Sequence, residues 1–551
     1  MDKFDEPVVE KEQGAEQSSQ ASETAHEQPA KKQNGFFKAL GFDAVAKKTS
    51  VRTEVLAGIV TFLAMAYILT VNPNSILYDG TADGRWSSLF MATAFGAIIG
   101  TLLMAFLAKM PLAQASGMGL NSLVGSIIGG GVGAFSYKFE FTIGQSFMMV
   151  LISGIVFLLL SVIKIKGKTF RELVFDGMPV AIRSAISVGI GLFIAYIGFQ
   201  NAGIIVTNRY TQIGLVDLTN WGKQLIQWDG VQLDPVTGEI LNTGIIGAIA
   251  AKTAIVAFVG LFAIAILDKI KVKGSVIIGI LIATIVGVPF GVTDLSVLAG
   301  NEQISWKFWE NFKNFFSVGE GSVFGSFTTV FSEGFPAGSL FTIIMLIITM
   351  CMIDMFDTMG TIVGCCGGNR LLSDENNKPY NYGKIMMGDA IATCAGAMLG
   401  TSTVTTFVES GAGVSAGGRT GLTAFTTACM FFLAMFIMPV FATIPSAATA
   451  SALIYVGVLM MKNNIKNIDF SDVINATSAF LTIIIMVLSY SITKGIGVGM
   501  ISYTVMSTLA YVIELIKATI TKTEKPKWEV SIVAIIVSVL FCVYFFVPTT
   551  L

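Results

Sequence analysis

Apolar runs long enough to cross a bilayer recur along almost the whole chain, and they limit its fold more than any other feature. A helix needs about 17 to 25 apolar residues to cross a roughly 30 Å hydrocarbon core. Such runs fall near 54–71, 87–108, 111–134, 142–163, 178–200, 243–267 and 274–293. A second series lies near 338–364, 385–399, 401–418, 420–441, 446–461, 472–490 and 494–516, and a last run covers 530–548. The pattern predicts an all-α polytopic membrane protein with fourteen transmembrane spans and one further apolar segment. Composition agrees: 13% of residues are charged, against about 25% in soluble domains, which excludes an ordinary soluble enzyme.

The positive-inside rule tests the span count, because the loops on one side must hold most of the Lys and Arg. With the amino terminus cytoplasmic, inward segments carry the Lys31 to Arg52 cluster, Lys109, Lys164 to Arg171, Lys269, Lys271, Lys273, Arg370, Lys384, Arg419, Lys462, Lys466 and Lys517 to Lys527. The long outward segments, 201–242 and 294–337, are acidic. A multi-pass protein of the cell membrane is expected, with lipid as its surround. Lys plus Arg (35) and Asp plus Glu (36) nearly cancel, so no basic excess exists to neutralise nucleic-acid phosphates.

The expected organisation has five parts. A disordered cytoplasmic tail (1–34) precedes a first repeat of seven spans (35–293). An extracellular loop (294–337) leads to a second repeat of seven (338–516), and a basic linker with a C-terminal apolar segment (517–551) ends the chain. Seven is odd, so a second set repeating the first lies upside down. Two matches support the repeat: Pro179-Val-Ala-Ile-Arg-Ser-Ala against Pro445-Ser-Ala-Ala-Thr-Ala-Ser, and the Lys273-Gly274 opening of span seven against Lys494-Gly495 of span fourteen. Inverted repeats mark secondary transporters, whose site lies near mid-membrane where interrupted helices meet. Nothing charged marks the end of 530–548, so whether it crosses is open.

Spans three and ten begin as poor helices. Pro111 to Asn121 and Gly400 to Gly413 are rich in Gly, Ser and Thr, and the alternation Thr401, Thr403, Thr405 suits an extended piece before a helix begins near Glu409. Extended backbone at membrane depth persists only where protein or a cavity satisfies its amides. Two such pieces therefore pair, serve a ligand, or act as flexible packing segments. Span eight carries Asp354 and Asp357, three apart on one helical face, with Gly360 and Gly364 continuing the stripe. A carboxylate at that depth costs about 2.5–3.5 kcal/mol, which points to function, with capping of broken backbone as the structural alternative. Glu409 is a third acid at similar depth. Lys252 reads as a gate residue or a snorkelling one, and Asp389 and Arg183 read as interface residues. The single histidine, His26, lies in the polar leader, so buried proton chemistry falls to carboxylates. The six cysteines, without CxxC spacing, read as small buried hydrophobes.

At these residues the chain resembles the AzgA-like purine permeases, a branch of the nucleobase and ascorbate transporter group. The matching motifs are Thr53-Glu54-Val-Leu-Ala-Gly58, Met65-Ala-Tyr67, Asn72-Pro73-Asn74, Gly117-Met-Gly-Leu-Asn121, Asp354-Met-Phe-Asp357-Thr-Met-Gly360, Gly400 through Glu409-Ser, and Ala416-Gly-Gly-Arg-Thr-Gly421. The resemblance runs from Gly41 to about Tyr511. It implies two inverted sevens, a core domain (spans 1–4 and 8–11) moving against a gate domain (spans 5–7 and 12–14), and proton-coupled, elevator-type import of hypoxanthine, guanine or adenine. It further implies that Asp354 and Glu409 bind the purine, that Asn121 and Gly119 shape the pocket beside Thr406, and that Asp357 supports the site or the proton path. No cofactor is implied beyond H⁺ as coupling ion, and the fold group often forms homodimers. Some pyrimidine carriers of the wider group have a histidine on span eight; this chain has none.

The chemistry of the residues agrees with that implication. A flat neutral base needs in-plane hydrogen bonds, and a carboxylate accepts two from adjacent N–H groups. Guanine offers them at N1 and its exocyclic amine, and hypoxanthine keeps the N1–H, whereas adenine has an acceptor at N1 and suits a protonated acid. Guanine and hypoxanthine are therefore favoured, with an adenine-preferring permease as the alternative. Phe62 or Phe407 would stack on the ring or simply pack. An external proton taken up with the purine would neutralise the site before it moves. Two other classes fit less well. An anion carrier on the same fold would want a basic centre, and an intramembrane aspartic protease would need its two Asp residues on facing helices.

Overall fold

The computed structural model describes residue 42 and residues 49–546, apart from 78–83, 129–140, 166–167, 170–176, 209–211, 217, 219–231, 234–239, 242–247, 273, 300–303, 318–321, 337, 367–370, 374–378, 490–491, 523 and 529. The expected tail (1–34), much of the 201–242 loop and Lys273 lie outside the described residues. The fold is mostly helical. Among the described residues, eight helical stretches are long and apolar enough to cross a membrane: Val51–Ile76, Trp86–Ala108, Ile143–Val162, Val180–Asn201, Ala251–Lys269, Thr342–Met359, Gly421–Ala442 and Lys494–Thr521.

The other expected spans hold shorter or more polar helices, for identifiable reasons. Those near 111–134 and 401–418 give their first residues to strands, which leaves helices over only Met118–Ile127 and Ser410–Ser415. Tyr382–Leu399 contains Lys384 and Asp389, and Ser446–Asn464 opens with a run of Ala, Ser and Thr. Ser275–Gly287, Val473–Leu488 and Ile532–Phe546 are apolar but shorter.

The helices that frame the site are α1 (Val51–Met65), α2 (Ile68–Ile76), α3 (Met118–Ile127), α4 (Val180–Asn201), α5 (Leu340–Cys366), α6 (Tyr382–Leu399), α7 (Ser410–Ser415), α8 (Gly421–Ala434) and α9 (Ser446–Asn464). The break between α1 and α2, at Ala66 and Tyr67, lies a turn or two before Pro73. Proline removes a backbone donor and crowds the carbonyl four residues earlier, here Leu69.

The extended pieces of spans three and ten are strands β1 (Gln114–Ser116) and β2 (Val404–Thr406). They pair antiparallel, Gln114 opposite Thr406, Ala115 opposite Thr405 and Ser116 opposite Val404. The ladder continues past both ends, Phe407 N–H donating to the Ala113 carbonyl (3.0 Å) and Gly117 N–H to that of Thr403 (2.9 Å). Backbone that would be orphaned in a dry interior is thus satisfied by its counterpart. Gly400, at φ +90°, turns the chain out of α6 towards β2, a conformation that a side chain would strain.

Helices α4 and α9, which start directly after Pro179 and Pro445, pack along each other. Gly191 lies on Gly457: a Cβ on Gly457 would come within 2.4 Å of the Gly191 carbonyl oxygen. Helix α9 also packs on Ala248–Lys269 and Ser275–Gly287, and α4 on Val473–Leu488, which in turn packs on Ile492–Thr521. A second group joins α1, α7 and α8 to Trp86–Leu103, α6 and Ile143–Val162. The groups meet where α4 touches α3 and α5, where α9 touches α2, and where Ser275–Gly287 touches α1.

Segment 294–337, expected as a loop, contains the helices Phe308–Phe315 and Val323–Glu333. Phe308, Phe312 and Phe315 recur at helical spacing, and Phe308 stacks on Phe436 with 4.5 Å between centroids. All six cysteines are free. Cys351, Cys365 and Cys366 are buried as expected, but Cys429 is exposed on α8, which also exposes Phe432 and Leu433. A helix facing lipid has no solvent to avoid, so an apolar cysteine can sit outside.

Candidate functional site

Glu409 closes β2 and stands at the start of α7, buried between the two groups of helices. The break in the first span turns Tyr67 towards it, and the Tyr67 hydroxyl donates to Glu409 Oε1 at 2.5 Å. The other oxygen, Oε2, is buried and has no hydrogen-bond partner among the described residues. Half-buried Asp357 of α5 faces the same cleft, together with Met118, Thr361, Thr406, Phe407 and Val408; Ile194 and Met460 close it from α4 and α9. The cleft holds about 20 Å³, room for about one water. Residues of one helical group therefore form most of its wall, and two apolar side chains of the other group cover it.

Glu409 and Val408 also line a second, much larger cavity of about 1060 Å³. Its walls carry Lys269, Lys271, Arg419 and Lys462, all in segments expected on the cytoplasmic side. The carboxylate thus stands between a cleft the size of one water and an open vestibule on the basic face.

Asp354 and Asp357 share a helix but not an environment. Asp354 is fully buried, and its Oδ2 accepts the Thr393 hydroxyl of α6 at 3.1 Å; it lines neither cavity described above. The geometry therefore brings Glu409 together with Asp357, the acid that the family resemblance casts as a supporter, and sets Asp354 against α6. Asn121 lies in a buried hydroxyl network: its Oδ1 accepts from Ser116 (2.7 Å) and from Ser402, and its Nδ2 lacks a partner among the described residues. Gly119 is buried on the first turn of α3, next to Met118, which reaches the cleft. Thr406 and Phe407 line the cleft. Phe62 is instead packed edge-on against Phe431, centroids 5.1 Å apart, and does not line the cleft.

Asp389, read from sequence as an interface residue, is fully buried. Its Oδ1 accepts the Gln114 side-chain amide (2.8 Å) and its Oδ2 the Thr358 hydroxyl (2.8 Å), tying β1 and α5 to α6. Glu54, also fully buried, accepts from the Thr420 and Thr423 hydroxyls (2.9 and 2.6 Å) and from the backbone amides of Arg419 and Thr420. It thereby satisfies the open amides at the N-terminus of α8. Tyr67 is the site residue that sequence reasoning left without a role. The one tyrosine of that apolar run, just ahead of Asn72-Pro73-Asn74, was the available signal.

The Permease family model matches residues 52–223 and 230–498. The adenine permease AdeQ of Escherichia coli (strain K12) is 33% identical over 459 residues, covering 83% of this chain and 88% of that protein. The guanine/hypoxanthine permease PbuO of Bacillus subtilis (strain 168) is 30% identical over 510 residues, covering 92% of this chain and 100% of that protein. Among solved structures, the transmembrane domain of the cyanobacterium bicarbonate transporter BicA aligns with a TM-score of 0.50 at 14% identity, over 81% of this chain and 96% of that one. At that identity the likeness shows the fold alone. With a family match across most of its length and permeases, not enzymes, as relatives, this chain belongs to the Permease family, alongside adenine and guanine/hypoxanthine permeases.

Proposed function

We propose that the protein imports purine nucleobases with protons, the base bound between Glu409 and Asp357. The observation that carries this reading is the unpartnered, buried Glu409 Oε2 at a cleft shared with a second acid. Buried polar atoms are nearly always paired, and an N–H edge of a purine supplies the missing donor. Thr406 and Phe407 would flank the base, Tyr67 would hold Glu409 in place, and Asp354 and Asn121 would brace the strands behind. A cleft of about 20 Å³ admits a base only after the two helical groups separate. That supports alternating access in which the group holding α1, α5 and α7 moves against the group holding α4 and α9. Packing of α4 on α9 through Gly191 and Gly457 and of β1 on β2 supports fourteen spans in two inverted sevens. Basic residues gathered around the large cavity support a cytoplasmic amino terminus in the cell membrane.

Hypoxanthine and guanine are favoured because each presents N1–H to a carboxylate. A second reading, adenine, has comparable support from similarity to adenine permeases. Labelled hypoxanthine uptake by right-side-out vesicles tests both, with unlabelled adenine, guanine, xanthine and uracil as competitors. Saturable uptake abolished by Glu409→Gln and by a protonophore is expected. Normal uptake by the variant would overturn the site, and concentrative uptake indifferent to the protonophore would overturn the coupling.

A further inference from the structure

The cavity on the basic side of Glu409 is larger than a nucleobase requires. It measures about 1060 Å³, at the upper end of the about 300–1,000 Å³ typical of pockets for drug-sized ligands. Its chemistry is also divided. Buried Glu409 offers one unpartnered oxygen. The exposed side chains Lys269, Lys271 and Lys462 line the open part and have no carboxylate partner among the described residues. The other acid of the lining, Asp268, shares the cavity wall with Tyr455. A ligand matched to both features carries a planar base at one end and a strong anion at the other. Unpaired cations around a cavity concentrate anions and hold phosphate oxygens through charge-assisted hydrogen bonds.

We propose that this cavity binds a purine nucleoside monophosphate from the cytoplasmic side, base towards Glu409 and phosphate on Lys269, Lys271 and Lys462, and that the bound nucleotide inhibits import. The inference rests on the purine reading above and adds regulation to it. The phosphate is too strongly charged to travel through the apolar cleft, so the nucleotide occupies the site without being carried. A reaction that joins an imported base to a phosphorylated sugar would generate the inhibitor, and entry would slow as that product accumulates.

Right-side-out vesicles from expressing cells, loaded with guanosine 5′-monophosphate, guanosine or inorganic phosphate, provide the test through initial rates of labelled hypoxanthine uptake. Only the nucleotide is expected to inhibit. Combining Lys269→Gln, Lys271→Gln and Lys462→Gln should raise its half-inhibitory concentration by about tenfold or more, the worth of one charge-assisted hydrogen bond, while uptake by unloaded vesicles stays unchanged. Equal inhibition by guanosine, inhibition by inorganic phosphate alone, or equal inhibition of the triple variant overturns the proposal. Lipid headgroups are the competing source of phosphate. If added phosphatidylglycerol abolishes the nucleotide effect, the lysines belong to the membrane and the proposal fails. Binding of labelled guanosine 5′-monophosphate to the purified protein in detergent, lost in the triple variant, is read without transport. Absence of purine uptake by unloaded vesicles would instead count against the purine reading itself.

Discussion

Asp357, Asp389 and the Tyr67–Glu409 pair have different neighbours, and substitutions at them should separate accordingly. Asp357→Asn removes a carboxylate that faces the cleft and is expected to raise the KM for hypoxanthine about tenfold or more, measured as initial uptake at graded concentrations. Asp389→Asn places an amide where the Gln114 amide and the Thr358 hydroxyl donate. It should cost about 1.5–3 kcal/mol for the lost charged acceptor, read as a lower thermal unfolding temperature of the purified protein. Tyr67→Phe leaves Glu409 Oε1 without its hydroxyl donor; uptake should fall while the amount of folded protein in the membrane stays the same. Depth alone made Asp354, Asp357 and Glu409 visible in the sequence, because charge is scarce in these segments. It did not separate Asp354 from Asp357. Three residues along a helix leave two side chains about 60° apart, and only the packing of α6 on one side and the cleft on the other decides which is free. Asp389 was misplaced because α6 begins at Tyr382, not near 385, so it lies about 10 Å from the helix start.

Among the elements, the strands were the most legible. Gly, Ser and Thr at the openings of spans three and ten are poor helix formers, and both segments fold as short strands. Their register was not legible, since three residues on each side carry too little pattern to choose a partner. The break at Ala66 and Tyr67 was hidden for a similar reason: hydropathy runs unbroken through it, and Pro73 acts at a distance. Two glycines offer element-level tests. Gly400→Ala forces a side chain into a left-handed conformation and to within 2.8 Å of Val323. It should cost about 1–2 kcal/mol, seen as a lower unfolding temperature. Gly457→Leu would drive α9 away from α4 at the Gly191 carbonyl, and loss of folded protein on size exclusion in detergent is the expected outcome.

At the scale of the whole molecule, the two helical groups face each other across the cleft, with Met118 on one side and Ile194 and Met460 on the other. In a background with the six native cysteines replaced, Met118→Cys with Met460→Cys, bridged by a short bifunctional thiol reagent, should stop hypoxanthine uptake. A cleavable reagent should let it resume on reduction. Uptake persisting through a complete cross-link would rule out relative motion at this boundary. A mostly helical, multi-pass membrane architecture was readable because a bilayer demands apolar length. The relative placement of the groups was not, because it depends on contacts between side chains hundreds of residues apart.

The pairing of β1 with β2 has a consequence for how the protein comes into being. Gln114 and Thr406, opposite one another in that ladder, are separated by 292 positions. A ribosome has to add those 292 residues after the first strand before the second exists to pair with it. Maturation of the carrier is therefore bound to a late, long-range closure of the kind that slows folding. Neither half produced alone would hold the base, whereas two halves synthesised together could restore it by finding each other in the membrane.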